Sequence, residues 1–133
     1  MAQVLLHYFS GTGNTFRAAS ITARMLKKAG CQTRLIDIAA EKPAQTDGLN
    51  IFLFPTYGFT TPQVMQDYLR SLPEPGPQAR AAILATIGTF SADAHGFEGN
   101  SLSTAARLLE KKGWHVFFTE AFSYPANWTQ FSN

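Results

Sequence analysis

Cysteine is nearly absent: the chain carries one, Cys31. A lone thiol closes no internal disulfide and assembles neither a zinc nor an iron–sulfur site by itself. A reducing, cytoplasmic setting is the expectation. No apolar run approaches the roughly 20 residues of a membrane span, so no membrane partner is expected. The opening stretch "MAQVLLHYF" lacks the basic segment and small-residue cleavage site of a secretory signal. Charge of one sign is also scarce. Eleven Lys and Arg against nine Asp and Glu leave a formal net charge of +2, with no basic block, too little to argue for nucleic acid. The three histidines (His7, His95 and His115) have no metal-ligand spacing, and no metal site is expected.

What is present suits one globular domain. At 133 residues, 45% hydrophobic and 15% charged, the chain is long enough and apolar enough to bury a core. There is no internal repeat and no low-complexity tract. "QVLLHYF" (3–9), "LNIFLFP" (49–55), "RAAILATI" (80–87) and "WHVFFTEAF" (114–122) are near-continuous apolar runs of strand length. Such runs suit strands buried on both faces of a parallel sheet. "TRLIDI" (33–38) is a more polar strand, expected at an edge.

Helical spacing falls between these runs. From Asn14, the residues Ala18, Ile21, Met25 and Ala29 recur with helical period, and Gly30 ends the segment. Thr61 and Pro62 read as a cap and a first helical position, followed by a stripe of Val64, Met65, Tyr68, Leu69 and Leu72. A third helix starts at Asn100 or Ser101, buries Leu102, Ala105, Ala106 and Leu109, and stops at Gly113. The order predicts an α/β domain with a mostly parallel sheet. "AAEKPAQTDG" is too short for a full helix between the second and third strands, and nothing helix-like follows the fifth.

The stretch "YFSGTGNTFRAA" (8–19) lies where the first strand hands over to the first helix, the place where open α/β sheets bind ligands. A helix N-terminus presents free amides and a partial positive charge, which favour a phosphate. A nucleotide-hydrolysing loop would need Gly-Lys-Ser/Thr, which the chain lacks. A dinucleotide fingerprint would need a small residue where bulky Phe16 stands, although Asp37 mimics its ribose-binding acid. The remaining reading is a loop of hydroxyls and amides: Ser10, Thr12, Asn14 and Thr15, with Gly11 and Gly13 between them. Such groups satisfy a terminal phosphate without a cation. A merely capped helix with a tight turn is the bland alternative.

"FSGTGNT" resembles the phosphate loop of the flavodoxins, in which Ser10, Thr12, Gly13 and Thr15 match the Thr/Ser-x-Thr-Gly-x-Thr pattern and Asn14 takes the variable place. More narrowly, "SGTGNT", "PTYGFTTP" and "YPANW" are similar to the flavodoxin domains of ferredoxin–flavodoxin fusion proteins of anaerobes. The resemblance implies an open parallel sheet of order 2-1-3-4-5 with helices on both faces. It also implies FMN as cofactor and one-electron transfer as the role. Residues 1–133 are then a single domain, expected to be complete or the front part of a longer chain.

Other loops fit the same edge. "PTYGFTTP" follows the third strand, and Pro55, Thr56, Tyr57 and Gly58 are expected at the flavin. An aromatic beside a glycine supplies a ring for stacking and a peptide that reorients without a Cβ penalty. By resemblance, Tyr57 stacks and Gly58 carries the carbonyl that turns toward flavin N5. "GTFSADAHGFEG" (88–99) is long and glycine-rich, as functional loops are. Thr86, Gly88 and Thr89 are expected near the pyrimidine edge, with Phe90, His95 or Phe97 as cover. Phe16 completes the expected set. By resemblance, Asn127 and Trp128 are expected to reach the flavin, with a chain-end anchor as the alternative.

His7 reads as a satisfied core histidine, and His115 as structural. Carrier flavodoxins are usually strongly acidic, whereas this chain is slightly basic. A redox partner on the same polypeptide, or an acidic ferredoxin or iron–sulfur module, fits better than a free carrier's usual partners. The alternatives are an FMN-dependent quinone or nitro-compound reductase, and a flavin-free module for another phosphorylated ligand. With the final helix missing, one side of strands three to five is expected to be uncovered. A homodimer or a following segment would then cover it.

Overall fold

The computed structural model describes residues 3–9, 14–43, 46–55, 61–88 and 101–124. In chain order these are β1 (Gln3–Tyr8), α1 (Asn14–Lys28), β2 (Gln32–Asp37), β3 (Leu49–Pro55), α2 (Gln63–Ser71), β4 (Arg80–Gly88), α3 (Ser101–Lys111) and β5 (His115–Tyr124). The strands form one five-stranded sheet, β2-β1-β3-β4-β5, and every pairing is parallel. The expected sheet order is the observed one.

Burial follows position in that order. β3 lies between β1 and β4, so both of its faces are covered and Ile51 through Phe54 are all buried. β2 is an edge, as expected, and of its residues only Ile36 is fully buried. Right-handed crossovers put α1 on one face of the sheet and the other two helices opposite. Ala18, Ala19 and Ala23 of α1 pack on Val4, Leu6, Ile51, Leu53 and Ala82. Across the sheet, Met65, Tyr68 and Leu69 of α2 join Ala105 and Leu109 of α3 over Phe52, Phe54, Ala81, Ile83 and Ala85. Each large side chain withdrawn this way contributes about 1.5–3 kcal/mol.

α1 and α3 end alike. Cys31 N–H donates to Leu26 O at 3.0 Å, and Gly30 adopts a φ of 96°. Trp114 N–H donates to Leu109 O at 3.1 Å, with Gly113 at 94°. A left-handed residue lets the chain turn back onto the last free carbonyls, and glycine takes that conformation without steric cost.

Four expectations need correction. The apolar stripe of α1 runs through Ala18, Ala19 and Ala23 rather than Ile21 and Met25, and Met25 is 66% exposed. Val64 is exposed too, since the buried side of α2 runs through Met65, Tyr68, Leu69 and Leu72. Pro62 is the cap residue of α2 rather than its first helical residue, and the buried Thr61 offers its carbonyl to Gln66 Nε2 at 2.8 Å. Finally, the α1 face of β3 is covered, because α1 lies over β1 and β3 together. Only toward β5 does that cover thin, where Leu84 is half-buried and Phe118 is 47% exposed. Residues 125–133, which follow β5, lie outside the described residues.

The β5 edge carries a bulge. Ala81 pairs with Val116, but Ala82 pairs with Phe118, so Phe117 is extra. Its ring lies under the Arg80 guanidinium, 4.7 Å from the centroid. A bulge rotates the strand by one residue. Val116 therefore packs with the α2–α3 core, and Phe118 turns to the opposite face. Charged and bulged edges also resist pairing with other chains.

Candidate functional site

β1, β3 and β4 all end at the same edge of the sheet. Tyr8 lies opposite Leu53, and Pro55 opposite Thr86. At the end of β1 the backbone is clamped from both sides: Ile38 N–H donates to Tyr8 O, and Phe9 N–H to Leu53 O, each at 3.1 Å. The chain then reaches Asn14, the first residue of α1. That first turn contains no acidic residue, and Lys27 and Lys28 close the last one. The positive end of the helix dipole is thus left uncancelled at the edge.

Thr15, in the first turn of α1, meets the sheet. It is 1% exposed, and its Oγ1 lies 3.2 Å from Oγ1 of Thr86, which is 4% exposed. Thr15 extends the alanine row of α1, while Thr86 extends the row Ala82, Leu84 on β4. The two apolar rows end in a hydroxyl pair where the helix begins. Phe16 is 46% exposed and tilts against Tyr8, with ring centroids 5.4 Å apart. Desolvation, then the Asp37 carboxylate, push the Tyr8 hydroxyl above its ordinary range.

The structure thus brings Thr15, Pro55 and Thr86 together and sets Phe16 beside Tyr8. Asn14 opens α1 and Gly88 closes β4. Ser10, Gly11, Thr12, Gly13, Thr56, Tyr57, Gly58, Thr89 and Phe90 lie outside the described residues, as do His95, Phe97, Asn127 and Trp128. Asp37 serves a turn, its Oδ1 accepting Ala39 N–H at 3.0 Å. His7 is a satisfied core histidine, bonded to Tyr68 and Asn50. His115 is exposed at the start of β5. Among the described residues no cluster of side chains could hold a metal ion. No described helix is long and apolar enough to cross a membrane.

Sequence reasoning passed over Asn50 and read Tyr68 only as part of an apolar stripe; with His7 they form a polar network on the α2–α3 face that runs away from this edge, to the Thr46 and Gly48 carbonyls before β3. The available signal was an asparagine inside the apolar run "LNIFLFP".

No family model matches the chain, and no curated protein matches it either. Solved structures do. A short-chain flavodoxin associated with a bacterial microcompartment superposes with a TM-score of 0.72 at 15% identity, covering 92% of this chain and 84% of that one. The fold is that of the flavodoxins. A Fusobacterium nucleatum flavodoxin bound to flavin mononucleotide has a TM-score of 0.66 at 15% identity, over 88% of this chain and 70% of its own. A Klebsiella pneumoniae protein assigned as a quinone reductase has a TM-score of 0.60 at 14% identity, over 99% and 81%. The flavodoxin fold therefore occurs among these neighbours in proteins described both as flavodoxins and as a reductase.

Proposed function

We propose that this chain is an FMN-binding electron-transfer domain. The observation that carries the reading is the uncancelled N-terminus of α1, seated with the buried Thr15 at the sheet edge to which β1, β3 and β4 lead. Helix amides and hydroxyls of this kind suit a phosphate dianion. The hydroxyl-rich sequence from Ser10 to Thr15 supports the same ligand, as does the FMN held by a neighbour of the same fold.

Ser10, Thr12, Asn14 and Thr15 would hold the phosphate, and Tyr57 would stack on the ring system. Gly58 would offer its carbonyl to N5, Gly88 and Thr89 would lie near the pyrimidine edge, and Phe90, His95 or Phe97 would cover the ring. When bound, the flavin supplies chemistry by one electron at a time. The near-neutral, slightly basic charge favours an acidic redox partner, such as a ferredoxin or iron–sulfur module, in the same or another chain.

Titration with FMN and riboflavin tests this. The loop contributes only when the phosphate is present, so FMN should bind far more tightly. Equal affinities would refute the reading. The Klebsiella neighbour favours an enzyme as the second reading. Rapid turnover of quinone or nitro compounds by the FMN-loaded protein with a nicotinamide donor would select it.

A further inference from the structure

We propose that Thr86 is a positioning residue for phosphate recognition, acting through Thr15 and setting the direction of its hydroxyl. This inference rests on the FMN reading and gives Thr86 a role other than the expected one at the flavin's pyrimidine edge: its hydroxyl is spent on Thr15, 71 positions away.

The argument starts from proton counting. A hydroxyl has one proton to donate and two lone pairs that accept. In the Thr15–Thr86 pair either oxygen is able to donate, so geometry alone leaves the direction open. A phosphate dianion removes that freedom, because it only accepts. A Thr15 hydroxyl donating to Thr86 would present a lone pair to the anion. A Thr15 hydroxyl accepting from Thr86 keeps its own proton for the anion. The productive chain therefore runs from Thr86 to Thr15 to phosphate.

Three observations make this arrangement effective. Both side chains are nearly sealed from solvent, so water competes weakly for the bond. Both are β-branched and stand on rigid elements, so the oxygens hold their separation. An accepted hydrogen bond also polarises the acceptor's own O–H, which strengthens its donation in a low-dielectric site. The pair thus ties the start of α1 to the end of β4, and Thr86 adjusts preference for a phosphorylated ligand without touching it.

The experiment compares FMN and riboflavin affinities in wild type, Thr86→Val and Thr86→Ser. Thr86→Val keeps the shape and deletes the donor. Its FMN affinity should fall about five- to thirtyfold, while riboflavin affinity stays within about twofold. Thr86→Ser restores the hydroxyl and should recover FMN affinity to within about threefold. In a Thr15→Val background, Thr86→Val should cost nothing further for FMN, as expected of residues acting in series. Thr86→Ala carries the same expectation should the valine fail to fold. Unchanged FMN affinity in Thr86→Val would overturn the proposal. So would an equal loss for FMN and riboflavin, which would mark a purely structural residue. A wild type that binds both flavins equally would remove the FMN reading itself, and the role of Thr86 with it.

Discussion

His7 Nε2 lies 2.8 Å from Asn50 Oδ1, and that contact sets the tautomer of a fully buried imidazole. Asn50 Nδ2 donates to the carbonyls of Thr46 and Gly48, at 2.8 and 3.2 Å. Its Oδ1 must therefore accept, so His7 carries its proton on Nε2. Nδ1 then accepts from the Tyr68 hydroxyl at 2.6 Å. The ring stacks on Phe52, 4.4 Å between centroids and 17° from parallel. A neutral imidazole satisfies every partner, whereas a second proton, on Nδ1, would take away the acceptor of the Tyr68 hydroxyl proton.

Stability should accordingly depend on pH. Burial lowers the His7 pKa from 6.5 to about 4, with the Asn50 bond opposing and Arg34 adding slightly. The unfolded chain binds a proton near 6.5 that the folded chain refuses. Stability from this group is therefore complete above pH 6.5, declines as pH falls toward about 4, and levels off below. The loss amounts to about 3 kcal/mol at most. Urea unfolding at steps from pH 7.5 to 4 should show it. In His7→Phe this component of the decline should be missing.

Removing one bond of the network should cost more than its net contribution in the intact protein. Tyr68→Phe leaves Nδ1 of His7 buried without a donor, at about 1–3 kcal/mol. Thermal or chemical denaturation measures this directly. Wild-type Tyr68 should also resist ionisation well beyond pH 10, because burial above all raises its pKa. An ultraviolet titration in which every tyrosine of the folded protein ionises near 10 would contradict the buried placement.

Burial against the sheet makes the alanines of α1 intolerant of bulk. Ala19 is fully buried against the β1–β3 surface. Ala19→Leu should destabilise by about 1–3 kcal/mol through overpacking. Met25→Leu, on the exposed side of the same helix, should stay within about 0.5 kcal/mol. Equal effects at the two positions would mean that the helix is rotated from its observed setting.

Phe118 provides the converse test. At 47% exposed, Phe118→Ser should change stability by less than about 0.5 kcal/mol. Leu53→Ala, under α1, should cost about 2–5 kcal/mol. A core-sized loss at Phe118 would show that another part of the chain, or a second copy, covers this face. Repeating the measurement across protein concentrations separates the two covers, since only a second copy makes the loss concentration-dependent.

What the sequence determined by itself was the set of elements and their order. Continuous apolar runs such as "LNIFLFP" specify strands buried on both faces, and glycine at positions 30 and 113 stops two helices. These are local properties, carried by neighbours along the chain. The hydroxyl-rich stretch at the first strand–helix junction was legible for the same reason. Tertiary structure decided which atoms meet. Periodicity marked Met25 and Ala18 equally, and only the way α1 is set against the sheet chose alanine. Plain alternation would set Val116 and Phe118 on one face, but the bulge at Phe117 divides them, because register depends on β4 rather than on β5 alone. Thr15 and Thr86, or His7, Asn50 and Tyr68, are polar residues with no local signal of partnership. Their bonds exist because parallel pairing and right-handed crossovers bring distant positions together in the interior, where a buried polar group must find a partner.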